Sequence, residues 1–317
     1  TPVARMSTAP PLVRYGYRSY DRQFVIEDPR FLDRASAAWG VMSSLQVFLT
    51  TLTSTKLGRG PAATVSPYVP DLDYFSGRGA KNVMPLWRDQ LAALPNVTSG
   101  LLDLLANQVK REVTNEDLFA YVYGLAGTGA FTERFEVEIG EATGPFRVPI
   151  TTDSEVFSDV VSLGCELLWW HTWGERFGRD AAELPDPDVA EIDPMQGYPN
   201  AFSYDPNTSI LTVGTARFGP VTADVWEFEV SGLKVLRSWL NYRMTDRKGR
   251  KSSPLDDVRP ERWTFTPELL QLIGILQHTI DLTPRAAELL DAVIASPLID
   301  PATLPTPTDA ERKPPRN

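Results

Sequence analysis

The stretch Asp224–Arg243, DVWEFEVSGLKVLRSWLNYR, carries the clearest structural pattern in the chain. Large apolar residues alternate with glutamates in its first half, which predicts a half-buried strand over Asp224–Val230. Ser231-Gly232 predicts a turn. A helix is predicted over Leu233–Arg243, because one of its faces would hold Leu236, Trp239 and Leu240. The stretch therefore predicts a strand, a turn and a helix in close succession.

Strands are also predicted near the start of the chain. Val13–Ile26 alternates and then becomes apolar, which predicts two strands joined by a polar turn at Ser19–Arg22. Leu45–Leu52 is a third strand candidate. Val65–Tyr74 contains two prolines and therefore predicts an edge strand or an extended loop.

The middle of the chain predicts helices. Leucines at helical spacing predict a helix over Leu101–Val109. Thr114 with Asp117, and Thr152 with Glu155, have the spacing of capping boxes, so a helix should begin at each. Leu184–Pro199 is rich in proline and acidic residues and predicts a linker or a long loop.

Later segments return to short strands and then helices. Ser203–Thr208 predicts a turn between two strands, and two helices are predicted at Leu269–Ile280 and Pro284–Ile294. We therefore expect a mixed α/β (α+β) fold of two lobes. Residues 1–199 would hold short strands and an acidic helical insertion, residues 200–300 a strand and helix lobe, and residues 301–317 a disordered tail.

Composition limits the class of protein. The 317 residues are 42% hydrophobic with a net charge of -10, which allows a packed core and excludes wholesale disorder. No apolar run is long enough for a membrane helix. The single Cys165 excludes an internal disulfide, and two histidines are too few for a Cys/His zinc site. We expect an intracellular, cytoplasmic protein. Because the chain does not begin with methionine, we also expect it to be a piece of a longer polypeptide.

The charge is distributed unevenly. Residues 133–193 contain 15 acidic and 4 basic residues, a net of -11, so the rest of the chain is nearly neutral. Lys234–Arg262 holds 9 basic and 4 acidic residues. An acidic protein is a poor candidate for nucleic-acid binding, but this distribution weakens that objection. We expect the acidic segment not to contact DNA, because its charge would repel the phosphates, and to point away from the duplex or toward another domain of the parent.

Several candidate residues have two interpretations. Asp71 and Asp73 are metal ligands or an exposed loop pair. Ser76–Gly79, with Arg78 and the nearby Lys81, is a phosphate-approaching loop or a plain turn. His171 and His278 are predicted to be packed helix residues rather than bases. The sequence lacks the glycine-rich nucleotide motifs and the Gly-x-Ser-x-Gly motif.

The segment Arg243–Ser253 is the densest cluster of positive charge. Its cations are Arg243, Arg247, Lys248, Arg250 and Lys251. Such a segment is either a solvated loop or a phosphate-contacting loop, since DNA affinity comes largely from Lys and Arg neutralising phosphates. An arginine could also make a bidentate contact to a guanine.

Five segments, in order, resemble a known family. Tyr17–Val25 resembles the Tyr-Arg-Pro-Phe-Asp-x-Arg-x-Val/Trp motif that follows the methyltransferase core of type ISP restriction–modification enzymes, although Ser19-Tyr20 replaces Pro-Phe. Tyr68–Phe75, Val83–Trp87 and Glu116–Tyr123 are similar to later segments. Val225–Leu240 resembles the Trp-x-x-x-Val-Ser-Gly-Tyr-x-Val-Leu-x-x-Trp-Leu signature of the type ISP C-terminal specificity domain.

The resemblance implies the target-recognition part of an adenine-specific DNA methyltransferase or restriction–modification enzyme. Its partners would be duplex DNA and an upstream methyltransferase domain, and S-adenosylmethionine would be a cofactor of the parent rather than of this piece. The expected DNA contacts are Arg243, Arg247, Lys248, Arg250, Lys251, Arg78, Lys81, Arg18 and Arg22. Two alternatives remain: a metal-dependent hydrolase built on Asp71 and Asp73, and a protein-binding module with an acidic docking face.

Overall fold

A computed structural model describes residues 10–28, 36–76, 82–141, 145–178, 183–245 and 259–314. The strands are β1 (Leu12–Arg18), β2 (Asp21–Ile26), β3 (Phe48–Thr50), β4 (Thr64–Ser66), β5 (Met84–Pro85), β6 (Ala190–Asp193), β7 (Phe202–Asp205), β8 (Ile210–Val213), β9 (Ala216–Gly219), β10 (Glu229–Val230) and β11 (Leu233–Lys234). The helices are α1 (Leu101–Val109), α2 (Asn115–Ala126), α3 (Ala130–Arg134), α4 (Glu136–Glu141), α5 (Ser154–His171), α6 (Ala223–Glu227), α7 (Val235–Asn241) and α8 (Thr266–Ala295). These helices and small antiparallel sheets confirm the mixed α/β prediction.

The first two strands form the predicted hairpin. β1 and β2 pair antiparallel, with Arg14 opposite Phe24 and Gly16 opposite Arg22. Gly16 bonds to Val69 and Asp71 through its backbone, and a Cβ on Gly16 would lie 2.6 Å from the Ser66 hydroxyl. The hairpin can therefore press directly on the sheet behind it, which has the order β4-β3-β5.

Two helices cross at a pair of glycines. A Cβ on Gly164 of α5 would lie 1.8 Å from the carbonyl oxygen of Ala120 in α2, and one on Gly124 would lie 2.5 Å from that of Val160. The backbones of α2 and α5 are thus in contact, and no larger residue fits at the crossing.

The two predicted caps had different outcomes. Thr114 and Asp117 form the capping box at the start of α2, with both reciprocal bonds 3.0 Å long. The box predicted at Thr152 and Glu155 is wrong. The cap of α5 is Asp153, whose carboxylate accepts from the backbone N–H groups of Glu155 and Val156, because an Asp one residue closer to the helix satisfies the same free donors.

Two strand predictions need correction. The predicted linker Leu184–Pro199 contains β6, which adds to the edge of a four-stranded sheet of order β6-β9-β8-β7. The predicted strand Asp224–Val230 is mostly helix α6, and only Glu229–Val230 is strand. The Thr222 hydroxyl accepts from the backbone N–H of Val225 and starts a helical turn that overrides the alternation.

The last predicted helices are a single helix. α8 runs through Pro284 for 30 residues. Its first half packs in a core with β8, β9 and α7, through Leu269, Leu272, Ile273, Ile275 and Leu276. Its second half packs in a core with α2 and α5, through Ala286, Leu290 and Val293. Burial of both halves offsets the cost of an interior proline.

Each of these two cores contains residues from both of the expected lobes. Tyr20 and Phe75, from the first expected lobe, lie in the core that holds β8, β9 and α7, whereas the end of α8 lies in the other core. A boundary at residue 199 therefore does not separate the cores. Residues 301–314, expected to be disordered, include a turn in which the Glu311 carboxylate accepts from the backbone N–H and hydroxyl of Ser99.

His171 is a buried structural residue. The Thr279 hydroxyl donates to the carbonyl of Ile275, so it accepts from His171 Nε2, 2.8 Å away. His171 Nδ1 then accepts from the Tyr123 hydroxyl at 2.6 Å. Burial lowers the pKa of His171 to about 3. A neutral imidazole with both nitrogens bonded ties α2, α5 and α8 together, as the packed-residue interpretation predicted.

Candidate nucleic-acid interface

One face of the β1–β2 hairpin carries arginines. Because residues 14 and 24, and 16 and 22, are opposite each other in the register, Arg14 and Arg22 lie on the same face. Arg14 lies over the exposed ring of Phe24, 4.2 Å from its centroid, and Arg22 lies at the same distance over Trp173. Aromatic contacts of this kind hold the two guanidinium groups in place.

The end of α7 supplies a third arginine. Arg243 follows the helix and reaches Asp21, the first residue of β2, with Nη2 to Oδ1 at 2.7 Å and Nη1 to Oδ2 at 3.2 Å. The two side chains are 5% and 3% exposed. Arg243 also lies 3.7 Å from the ring centroid of Trp239. This buried, bidentate pair joins the hairpin turn to α7.

Glu268, in the first turn of α8, lies among these arginines. Its Oε1 accepts from Arg22 Nε at 3.3 Å and lies 3.9 Å from Arg14 Nη1. Its Oε2 lies 3.9 Å from Arg243 Nη2. One carboxylate thus contacts three guanidinium groups, two of which are also paired, Arg243 with Asp21 and Arg22 with Glu175.

These side chains line a cavity of about 400 Å³, which we call the arginine cleft. Its walls are formed by Arg14, Arg22, Gln23, Phe24, Tyr198, Tyr242, Arg243, Arg259, Pro260, Thr264, Phe265 and Glu268. Four arginines and one glutamate are present among these residues. Burial raises the pKa of Tyr198, while the charges of Arg259 and Arg243 oppose that rise. With Asp21 and Glu175, which pair with Arg243 and Arg22, four arginines face three carboxylates, so only a small excess of positive charge remains.

The basic segment Arg243–Ser253 begins at this cleft, and Arg259, six residues after its end, also lines it. The carbonyl of Pro199 accepts from both the backbone N–H and the hydroxyl of Thr245. The Nε of Arg259 donates to the carbonyl of Met244 at 3.1 Å. Arg247, Lys248, Arg250 and Lys251 lie between these ends and outside the described residues. Of the described residues next to the segment, Arg243 and Arg259 line the cleft.

The other predicted contacts differ in position. Arg22 lines the cleft, whereas Arg18 binds Asp71 at 2.9 Å and contacts the hydroxyl of Tyr242, a residue of the cleft wall. Arg78 and Lys81 lie outside the described residues. Arg243 lines the cleft but is buried against Asp21, so we assign it a structural role and remove it from the surface contacts.

Other candidate chemistry finds little support in the geometry. Asp71 accepts from Arg18 and from the hydroxyl of Tyr15. In the part of the chain that the structure describes, no three His, Cys, Asp or Glu side chains are grouped so that they could hold a metal ion.

Glu175, from the acidic segment, lies 3.0 Å from Arg22, so that segment is not wholly separate from the cleft. None of the described helices is long and apolar enough to cross a bilayer.

The sequence interpretation missed several cleft residues. Arg14, Tyr198, Arg259 and Glu268 come from four separate parts of the chain. Arg14 had a usable signal, because it lies on the same hairpin face as Arg22. Tyr198, Arg259 and Glu268 come together only in the folded chain, where Tyr198 packs on Trp263 and Arg259 bonds to Met244.

The family model of the Type ISP C-terminal specificity domain matches residues 4–273. The chain belongs to this family. The resemblance of the five segments is thereby confirmed. No curated protein matches the sequence of this specificity domain.

Three solved structures share the fold of the specificity domain. A nuclease-deletion mutant of the Type ISP restriction-modification enzyme LlaGI with a DNA substrate mimic has a TM-score of 0.59 and 13% identity over 86% of this chain and 20% of that chain. The DrdV–DNA complex has a TM-score of 0.61 and 14% identity over 90% and 28%. The ATP-dependent Type ISP enzyme LlaBIII bound to DNA has a TM-score of 0.59 and 14% identity over 93% and 19%. The specificity domain therefore spans between 19% and 28% of the length of these proteins.

Proposed function

We propose that this chain is the DNA target-recognition region of a restriction–modification enzyme of the cytoplasm. It would position duplex DNA so that an upstream domain of the same polypeptide methylates an adenine. Membership of the specificity-domain family supports this function. The structures that share its fold are complexes with DNA, which supports the choice of ligand.

The observation that supports the proposal is the arginine cleft, at whose wall the basic segment begins with Arg243. Phosphate contacts from Arg and Lys fix the position of a protein on the duplex, while contacts to base edges select the sequence. We assign the positioning role to the cleft and to Arg247, Lys248, Arg250 and Lys251.

The test is a salt titration of DNA affinity with the full-length parent. A variant with alanine at 247, 248, 250 and 251 should bind more weakly, and its salt slope should fall by about 0.9 for each phosphate that is no longer neutralised. A matched control replaces four exposed cations outside the cleft, Lys110, Arg134, Arg147 and Arg285. If the two variants had the same DNA affinity and the same salt slope, the proposal would be contradicted.

We further infer that S-adenosylmethionine is bound by the upstream domain and not by this chain. The sequence lacks the glycine-rich loop and the Asn-Pro-Pro-Tyr motif of methyltransferases. Calorimetry of S-adenosylmethionine with the chain alone should give no heat of binding, and micromolar binding would contradict this inference.

A further inference from the structure

An apolar pocket lies between the β4-β3-β5 sheet and helix α2, and we call it the sheet–helix pocket. Its volume is about 290 Å³. The sheet contributes Leu49, Met84 and Pro85 to its walls, and α2 contributes Leu118, Phe119 and Val122. Among the described residues, none lines both this pocket and the arginine cleft. The pocket is therefore a separate feature from the proposed nucleic-acid interface.

The walls of the sheet–helix pocket select an uncharged ring. None of the described residues that line it carries a charge, so a charged ligand would lose its hydration without gaining an ion pair. Phe119 and Phe146 offer aromatic rings, and Met84 offers a thioether, both of which make favourable contacts with an aromatic ligand. Met84 is 36% exposed, so it lies at the mouth of the pocket.

The volume of the pocket sets the size of that ring. An apolar cavity of about 150 Å³ is large enough to bind benzene. The sheet–helix pocket has about 290 Å³, which leaves room for two fused rings rather than one.

One buried amide in the wall adds a polar requirement. Asn115 is 5% exposed, and its Nδ2 donates to the carbonyl of Leu86 at 2.9 Å. Because a carbonyl can only accept, this bond fixes which end of the amide is the oxygen. Asn115 Oδ1 accepts no hydrogen bond from a described residue, and it is not fully enclosed by protein atoms. The pocket thus has an accessible, unpartnered acceptor in an apolar wall.

The surroundings of Asn115 favour a ligand with a single donor. The other polar side chains of the wall, those of Thr51, Thr53 and Asn96, are each bonded to other parts of the chain. A buried water is usually held by 2–4 polar partners, so the Asn115 oxygen alone holds water weakly, and a ligand that displaces it gains affinity. A nucleobase carries several polar edge atoms that this wall would leave unpaired, whereas an indole carries one N–H.

We propose that the sheet–helix pocket binds an uncharged aromatic group of two fused rings with one N–H, of the indole type, and that this N–H donates to Asn115 Oδ1. The ring belongs either to a free small molecule or to a tryptophan side chain of another polypeptide, which present the same chemistry. The site does not depend on the proposed function.

Calorimetry of the full-length parent with indole and with indene tests the ligand chemistry. Indene has the same size and shape but lacks the N–H. Indole should bind about 2- to 10-fold more tightly than indene, the usual net effect of one hydrogen bond. Indole that does not bind, or that binds no more tightly than indene, overturns the proposal.

Two variants test the position of the site. Val122→Phe fills the pocket with a larger side chain and should weaken indole binding by about 10-fold or more. Val137→Phe is the matched control, since Val137 is 69% exposed and does not line the pocket. Asn115→Leu should make the affinities for indole and indene equal. Thermal melts identify any variant that fails to fold, and Val122→Phe still tests the site if Asn115→Leu fails because its bond to Leu86 is missing. Indole binding that is equal in Val122→Phe and Val137→Phe overturns the assignment.

A third ligand identifies the source of the ring. N-acetyl-tryptophanamide should bind at least as tightly as indole if the pocket receives a tryptophan side chain, and more weakly if the backbone atoms clash at the mouth and the ligand is a free molecule. Either result supports the ring site only if Val122→Phe removes the binding. DNA affinity should be unchanged in Val122→Phe, so failure of this proposal leaves the proposed function untouched.

Discussion

Replacement of Arg243 should destabilise the fold rather than remove a DNA contact. In Arg243→Met the aliphatic volume is kept, but the Asp21 carboxylate stays buried without the guanidinium that now lies 2.7 Å away. Removal of one partner of a buried ion pair costs about 3–5 kcal/mol. With a urea m-value of about 3 kcal/mol/M, the unfolding midpoint should fall by roughly 1 M or more.

The structure also predicts that replacing Asp21 and replacing Arg243 lower the free energy of unfolding by different amounts. Asp21→Asn leaves Arg243 with Glu268, 3.9 Å from its Nη2, whereas Arg243→Met leaves two carboxylates with less positive charge between them. Asp21→Asn should therefore cost less than Arg243→Met. In the double variant the costs should be less than additive, with a coupling energy of about 0.5–3 kcal/mol.

The assay is urea unfolding followed by tryptophan fluorescence, because Trp239 stacks on Arg243. Arg217→Met is the control. Its pair with Asp193 is about half exposed, so the decrease in stability should stay below about 1 kcal/mol. If Arg243→Met costs no more than this control and instead lowers the salt slope of DNA binding, Arg243 is a surface contact and the assignment to the core is refuted.

Two further predictions concern the core. The pKa of His171 is about 3 when folded and about 6.5 when unfolded, so the unfolded chain binds more protons between these values and stability falls as the pH falls below 6.5, by about 2 kcal/mol at pH 5. Unfolding curves of wild type and His171→Gln should differ in this dependence, and parallel curves would argue against a neutral buried histidine. Gly164→Ala should cost about 1–3 kcal/mol or more through the clash with Ala120, while Gly140→Ala, with no atom within 4 Å of the new Cβ, should be neutral or stabilising in thermal melts.

The predictions that succeeded depended on neighbours in sequence. The hairpin at Val13–Ile26 and the capping box at Thr114 are set by residues within a few positions of each other. The errors arose where two local signals competed. Thr222 and Asp224 provide a helix start within the apparent strand, and Pro284 suggested a break in a helix that two cores hold together.

The candidate site was predictable only in part for the same reason. Arg22 belongs to a local motif, but the arginine cleft depends on contacts between residues more than 200 positions apart, such as Asp21 with Arg243 and Arg22 with Glu268. Composition and spacing do not encode such pairs. The charge pattern could therefore identify the basic segment but not the cavity beside it.

The burial of Arg243 changes how the basic segment should be tested. Arg243 holds the end of α7 against the hairpin, and Met244 and Thr245 then bond to Arg259 and Pro199 at the point where the segment begins. Removal of the Arg243 side chain would free that attachment and weaken DNA binding indirectly. An alanine variant that included it would mix a folding defect with the removal of phosphate-binding cations. Substitution of the four cations at 247, 248, 250 and 251 alone leaves the attachment intact, so a lower salt slope in that variant reports on DNA binding itself.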